Sequence, residues 1–331
     1  MHHDRLSFHN VAELHDDDAS GLRLQRVPED VRVDLNEGAR RRMCHPAGCE
    51  LRFVADGPVE VTLSAPLRES PVEVFWGPFQ AREDHRVSAD PTTLRVEPPE
   101  WLGDLDREAV GDFAFDPAVC RLALAGEHRG SPIRYHGANG ERRPPRADEL
   151  PDRRYLAYGT SITEGEAATA EHLTYVSQTA RRLGADLVNL GSCGTAYCDA
   201  AMADHVADAE WDVATLALSV NMVGEFSVAE FRERAAYLVE TVGETGRPVA
   251  CVTLYPYYDD LRESADGSEA ARFREALREV VADAGRENVH LLEGRDLLDP
   301  AGLTTDLIHP SDRGFVAMGE RLAARLDPFL D

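Results

Sequence analysis

A serine hydroxyl becomes a useful nucleophile near neutral pH only when a base takes its proton and donors receive the charge that develops. The stretch Leu156-Ala157-Tyr158-Gly159-Thr160-Ser161-Ile162-Thr163-Glu164-Gly165 presents such a serine. A short apolar run stops at Gly159, Ser161 follows two residues later, and Gly165 sits four beyond it. Strand, tight turn and helix start is the arrangement that lifts a hydroxyl clear of a sheet edge, with the N–H groups of the turn facing the same point. Near the C-terminus, Asp306-Leu307-Ile308-His309-Pro310 supplies a base. A histidine, with a reference pKa of ~6.5, suits taking and returning a proton. Pro310 biases His309 toward extended backbone and so toward a loop. Asp306, three residues upstream, can fold its carboxylate onto the far imidazole nitrogen and fix the tautomer. Alone, Asp-x-x-His-Pro reads as an ordinary capped loop; beside Ser161 it reads as the rest of a triad. Asn189-Leu190-Gly191-Ser192-Cys193-Gly194 and Leu218-Ser219-Val220-Asn221-Met222 lie between them, each closing an apolar run.

Taken together, these blocks resemble the SGNH (GDSL-like) hydrolases. Gly159-Thr160-Ser161-Ile162 is similar to the family's first block, Asn189 to Gly194 to the second, Asn221 to the third, and Asp306-x-x-His309 to the last. Four blocks agree in order and spacing over about the last 180 residues. Two departures stand out: Thr160 replaces the Asp of the family name, and Asn221 lacks the usual preceding Gly and following Asp. The resemblance implies that Ser161, Asp306 and His309 are catalytic. It also implies an oxyanion hole built from the backbone N–H groups of Ser161 and Gly194 and the side-chain amide of Asn221. Gly191 is the rival to Gly194; Gly194 is preferred because it stands five residues beyond the Asn, as in the family.

Composition narrows the partners. The 331 residues carry 35 basic and 60 acidic side chains, a net charge of −25, and every basic residue is Arg. Such a surface repels phosphate, so nucleic acid and anionic membrane are not expected partners. Lysine-free and Asp-rich composition points to adaptation to high salt, where ions screen self-repulsion. No apolar segment reaches the ~18 residues that span a bilayer. The N-terminus Met1-His2-His3-Asp4-Arg5-Leu6 has no signal-peptide core, so a cytoplasmic location is expected. Cys44, Cys49, Cys120, Cys193, Cys198 and Cys251 are too scattered for a disulfide framework and read as reduced thiols. Cys44 and Cys49 flank His45, but no second matching pair exists to complete a metal site. No metal or organic cofactor is implied.

Two domains must position these groups. Residues 1–150 read as β: Val31-Arg32-Val33-Asp34-Leu35, Val59 to Leu63, Val72 to Trp76, Leu94 to Val96 and Cys120 to Leu124 alternate, with turn signals between them. An antiparallel sandwich or jelly roll is expected. The variant Tyr-Gly-Thr-Ser-Ile-Thr, Asn-Leu-Gly, Val-Asn-Met looks most like a GDSL-like subgroup that carries a β-rich N-terminal domain, and there such a domain looks like a carbohydrate-binding module. Trp76, Phe79 and Trp101 have faces suited to sugar rings, although aromatics on strands more often fill a core. The run Glu141-Arg142-Arg143-Pro144-Pro145-Arg146 reads as the linker. Residues 151–331 then alternate strand and helix, the pattern of a parallel flavodoxin-like sheet. Five strands are expected at 155–158, 187–190, 213–218, 248–254 and 289–292. Gly184 stops a helix over 173–183, Ser227-Val228-Ala229-Glu230 opens another, one runs over 269–284, and Ser311 caps the last. Ser161, Gly194, Asn221 and His309 all follow strands. The remaining histidines, His172 and His205 among them, are expected at the surface. Glu164 and Tyr255-Pro256-Tyr257-Tyr258 either line the cleft or pack the loops.

The function expected is therefore a two-domain serine esterase. It would hydrolyse a small acyl ester, such as an acetyl ester, of a sugar or other hydroxylated small molecule through an acyl-enzyme. The alternatives are a transacylase using the same site and a non-catalytic carbohydrate-binding protein. The intact Ser161, Asp306 and His309 speak against the last.

Overall fold

Along Val59–Ser64 every second side chain is apolar, and Val59, Val61 and Leu63 are fully buried while Glu60 and Thr62 stay half-exposed. The same period of two repeats along Ser70–Trp76 and Thr92–Val96, as expected of strands with one face in a core. In the computed structural model, which describes residues 1–126, 128–262 and 268–330 and the backbone alone of residue 107, these strands form two antiparallel sheets. One sheet runs His2–His3, Leu6–His9, Glu50–Val54, Val119–Leu124, Ser70–Trp76, Phe79–Gln80, with His85–Val87 also on Ser70–Trp76. The other runs Thr92–Val96, Val59–Ser64, Arg134–Asn139, Leu22–Gln25, Glu13–His15. Phe8, Leu51, Phe53, Val74 and Leu122 from the first meet Leu24, Val61, Leu63, Leu94 and Tyr135 from the second in one apolar core. This is a β-sandwich.

The chain forms two compact units. The first holds Met1–Glu29, Met43–Arg153 and Gly184–Asp186; the second holds Asp30–Arg42, Arg154–Leu183 and Leu187–Asp331. In the first unit, alternation turns Glu50 and Arg52 away from the sandwich core into a buried ion network. Arg52 donates to both Asp186 oxygens at 2.7 Å and to Glu50 at 2.7 Å. Arg121 donates to Glu50 at 2.8 Å, and both guanidinium groups lie over the Phe115 ring. Burial alone would raise the carboxyl pKa values. The guanidinium groups of Arg121 and Arg52 at Glu50, and of Arg52 at Asp186, override it and hold both below the usual carboxylate range.

A parallel five-stranded sheet, all but a few residues of it in the second unit, runs in the order Ala185–Asn189, Arg153–Gly159, Val213–Ala217, Val249–Val252, Val289–Leu292. That order, 2-1-3-4-5, is flavodoxin-like, and it reverses at the first strand. Helices Tyr175–Leu183 and Asp312–Leu326 pack together, with Gly319 set close against Tyr175 and Gln178. Helices Ala200–Asp208, Val228–Gly243 and Glu269–Ala284 form the other group. Ser227, Ser268 and Ser311 each accept a backbone N–H of the first turn they cap.

Three expectations need correction. Val31–Leu35 is no strand: Glu29–Asp34 is helical. Pro28 precedes it and Glu29 and Asp30 open it, a favourable helix start that outweighs a five-residue alternation, and Val33 faces solvent. The run 141–146 is not a free tether either. Arg143 exchanges backbone hydrogen bonds with Val54 and pairs with Glu149, while buried Arg142 donates to the Asp4 and Gly140 carbonyls. The aromatics divide: Trp76 is 4% exposed and belongs to the core, whereas Phe79 and Trp101 are each 39% exposed. The last two meet edge to face beside a cavity of about 560 Å³ in the first unit.

Candidate active site

The strand Arg153–Gly159 ends in a turn, Thr160 is extended, and Ser161 starts a single helical turn to Glu164. Ser161 is only 4% exposed, yet its Oγ lies 2.9 Å from His309 Nε2. His309 Nδ1 lies 2.7 Å from Asp306 Oδ2. Three residues spread over 148 positions thus form one hydrogen-bonded chain. With Nδ1–H donated to the carboxylate, Nε2 is left to accept the serine proton.

Asp306 is fixed by more than the imidazole. Its Oδ1 accepts the Thr304 hydroxyl at 2.8 Å and the backbone N–H groups of Ile308 and His309, each at 2.9 Å. Partial burial works to raise its pKa. The His309 backbone and ring N–H groups, then Ile308 and Thr304, overcome this and hold the carboxyl well below its ordinary range. The loop closes on itself through Thr304 N–H to the His309 carbonyl at 2.8 Å and Ser311 N–H to the Gly302 carbonyl at 2.8 Å. Leu307, between acid and base, is left-handed at φ 56°, and Ser219, two residues before Asn221, is left-handed at φ 98°. Strained backbone of this kind persists where surrounding contacts over-determine it, often at functional sites.

After the second strand comes the glycine-rich loop, and its N–H groups can be followed one by one. Leu190 donates to the Ala157 carbonyl, Gly191 to Asn189 Oδ1, Ser192 to the Gly159 carbonyl, and Cys193 to Glu164 Oε2. Thr195 donates to the Ser192 carbonyl and Ala196 to Asn221 Oδ1. Only Gly194 N–H, among the described residues from 190 to 196, has no protein acceptor. The Gly191 N–H, by contrast, is already spent at 2.8 Å on Asn189 Oδ1. Asn221 Oδ1 accepts Ala196 N–H at 3.2 Å, which turns its NH₂ end away from that contact and free to donate.

Other expected residues fall elsewhere. Glu164 packs the loop: its buried carboxylate accepts Cys193 N–H at 2.7 Å. Tyr255 is buried, Tyr257 binds Asp259, and Tyr258 is exposed, its N–H on the Leu307 carbonyl. His172 and His205 are half-buried, not surface residues, and burial lowers the His205 pKa. None of the six cysteines is in a disulfide, and burial raises the thiol pKa values of Cys193, Cys198 and Cys251 to about 12. Two contributors carry no local signal: Asn36 and Arg42 reach the 193–199 segment, 151 or more positions away.

The family sequence model for GDSL-like lipases and acylhydrolases matches residues 152–327, more than half of the chain. The chain belongs to the GDSL-like lipase/acylhydrolase family. It is a carboxylic ester hydrolase of that family. Among solved structures, the salicylyl-acyltransferase SsfX3 of a tetracycline biosynthetic pathway is 20% identical, with TM-score 0.75 over 98% of this chain and 96% of that one. A putative GDSL-like lipase from Bacteroides ovatus is 16% identical, with TM-score 0.68 over 98% and 96%. A family two carbohydrate esterase from Clostridium thermocellum, solved with cellohexaose, is 16% identical, with TM-score 0.63 over 98% of both chains. At these identities the likeness shows a shared fold. No curated protein sequence matches the chain. Among the described residues no helix is long and apolar enough to cross a membrane.

Proposed function

We propose that Ser161 is the nucleophile of an esterase acting on small acyl esters, acetyl esters included, of a sugar or other hydroxylated small molecule. The observation that carries this reading is the continuous hydrogen-bonded chain from Ser161 through His309 to Asp306. Ser161 Oγ attacks the ester carbonyl carbon while its proton passes to His309 Nε2. The carbonyl oxygen becomes an oxyanion received by the N–H groups of Ser161 and Gly194 and by the Asn221 amide. Asp306 stabilises the imidazolium, which returns the proton to the departing alcohol oxygen as the C–O bond breaks. Water, deprotonated by the same imidazole, then attacks the acyl-enzyme and restores the Ser161 hydroxyl. An alcohol in place of that water would make the protein a transacylase.

In this reading residues 151–331 are the hydrolase domain and residues 1–150 an accessory β domain. The acid-rich, lysine-free composition supports a halophilic enzyme, and a cytoplasmic location is part of the same proposal. Incubation with a fluorophosphonate, followed by peptide mass spectrometry, should place the adduct on Ser161. Ser161→Ala should abolish hydrolysis of short-chain p-nitrophenyl esters. An adduct at another serine, or undiminished hydrolysis by the variant, overturns the assignment. Adding an alcohol to the same assay and weighing ester against free acid separates transfer from hydrolysis.

A further inference from the structure

Residues Asp30–Arg42 interrupt the strand pattern of the β-rich region, yet they belong to the second unit. Several of their hydrogen bonds there fall on the segment around Gly194. Arg42 Nε donates to the Cys193 carbonyl at 2.9 Å, and Asn36 Nδ2 donates to the Thr195 carbonyl at 3.0 Å. The Asn36 backbone N–H and Nδ2 both reach Asp199 Oδ2, at 3.0 and 2.7 Å, just before the helix Ala200–Asp208. Asn36 Oδ1 caps the excursion's own second helix, Glu37–Arg42, by accepting Ala39 N–H at 3.0 Å. Gly38 lies so close that a Cβ on it would stand 2.2 Å from the Thr195 methyl.

The Arg42 contact fixes the Cys193–Gly194 peptide plane, and the Asn36 contact holds the Thr195–Ala196 plane on the other side of Gly194. The Cys193 carbonyl and the Gly194 N–H belong to the same planar trans unit and point in opposite directions. Holding the carbonyl therefore aims the N–H. Gly194 cannot do this for itself: it has no side chain, its φ is 68°, and nothing stands within 4 Å of its missing Cβ. A peptide beside such a glycine turns over readily, because both signs of φ are open to it. A donor that is to receive an oxyanion must instead be aimed before the reaction begins.

We propose that the Asp30–Arg42 excursion is a positioning device for the oxyanion site, with Arg42 and Asn36 clamping the carbonyls on either side of Gly194. Neither residue touches substrate; both act through the Gly194 N–H. The inference rests on the assignment of Ser161 as nucleophile and of Gly194 as a donor.

The test uses the full chain, p-nitrophenyl acetate, and kcat expressed per site titrated with a fluorophosphonate, so that unfolded molecules drop out. Affinity for an alkylboronic acid, whose serine adduct mimics the tetrahedral oxyanion, is the second readout. Arg42→Met, which keeps the apolar stem, and Asn36→Ala should each lower per-site kcat about 10- to 100-fold. KM should move little, and boronate affinity should fall in parallel. Arg42→Lys should recover part of both, and Arg41→Met, on the exposed neighbour, should match the wild type. Should Arg42→Met give no titratable sites, Asn36→Ala decides by the same readouts. Unchanged per-site kcat and boronate affinity, with Ser161→Ala inactive, overturns the clamp and leaves the esterase reading standing. Activity retained by Ser161→Ala overturns the esterase reading itself.

Discussion

Four donors converge on the Asp306 carboxylate, and only one of them is the imidazole. The other three hold the loop, so the charge and the shape of this residue can be separated by experiment. In Asp306→Asn, an amide oxygen in the place of Oδ1 still accepts from Thr304, Ile308 and His309. The NH₂ group then faces His309 Nδ1, and the ring must turn its lone pair there and carry its proton on Nε2. That tautomer cannot take the Ser161 proton. We expect kcat to fall by roughly 10³- to 10⁴-fold with little change in Tm. A variant within tenfold of wild type would show that the carboxylate does not set the tautomer.

At the scale of elements, the first two strand ends meet where Gly191 passes over the turn that follows Ser161. A Cβ on Gly191 would lie 2.3 Å from the Glu164 backbone nitrogen, so Gly191→Ala must push two backbones apart. Gly194 has open space, and an alanine there meets only the cost of its positive φ. Urea unfolding should therefore show Gly191→Ala losing about 1–3 kcal/mol. Gly194→Ala should lose about 1 kcal/mol. Equal losses would mean that the strand ends yield more easily than their spacing implies. The sequence made much of this region legible. Apolar runs of four to seven residues, serine caps and the helix-stop Gly184 carry their own chemistry, and the place of Ser161 follows from where the first strand of the parallel sheet ends. What could not be read depends on partners far along the chain. Val31 to Leu35 alternates like a strand over too few residues to distinguish it from one and a half helical turns. Arg42 and Asn36 look like any surface polar residues until the fold brings Cys193 and Thr195 to them. Likewise, nothing local in Glu141 to Arg146 shows that Arg143 will meet Val54.

For the whole molecule the governing quantity is charge. Thirty-five basic residues cannot neutralise sixty acidic ones, and the excess leaves a net −25 whose self-repulsion favours expanded states. The buried network of Glu50, Arg52, Asp186 and Arg121 is balanced and shielded from solvent, so added salt should barely alter it. Exposed pairs such as Arg232 with Asp283 will weaken in salt, but each contributes about 0–1 kcal/mol. The long-range repulsion between unpaired carboxylates outweighs such pairs, and salt removes it. The Debye length shrinks from about 30 Å at 0.01 M to about 3 Å at 1 M. Tm should accordingly rise steeply over the first few tenths molar KCl and flatten as molar concentrations approach. A continued rise beyond that, stronger with sulfate than with chloride, would reflect ion exclusion from the surface. A curve flat from dilute buffer upward would mean that the acidic surface does not limit stability, and would remove the halophilic reading while leaving the catalytic one untouched.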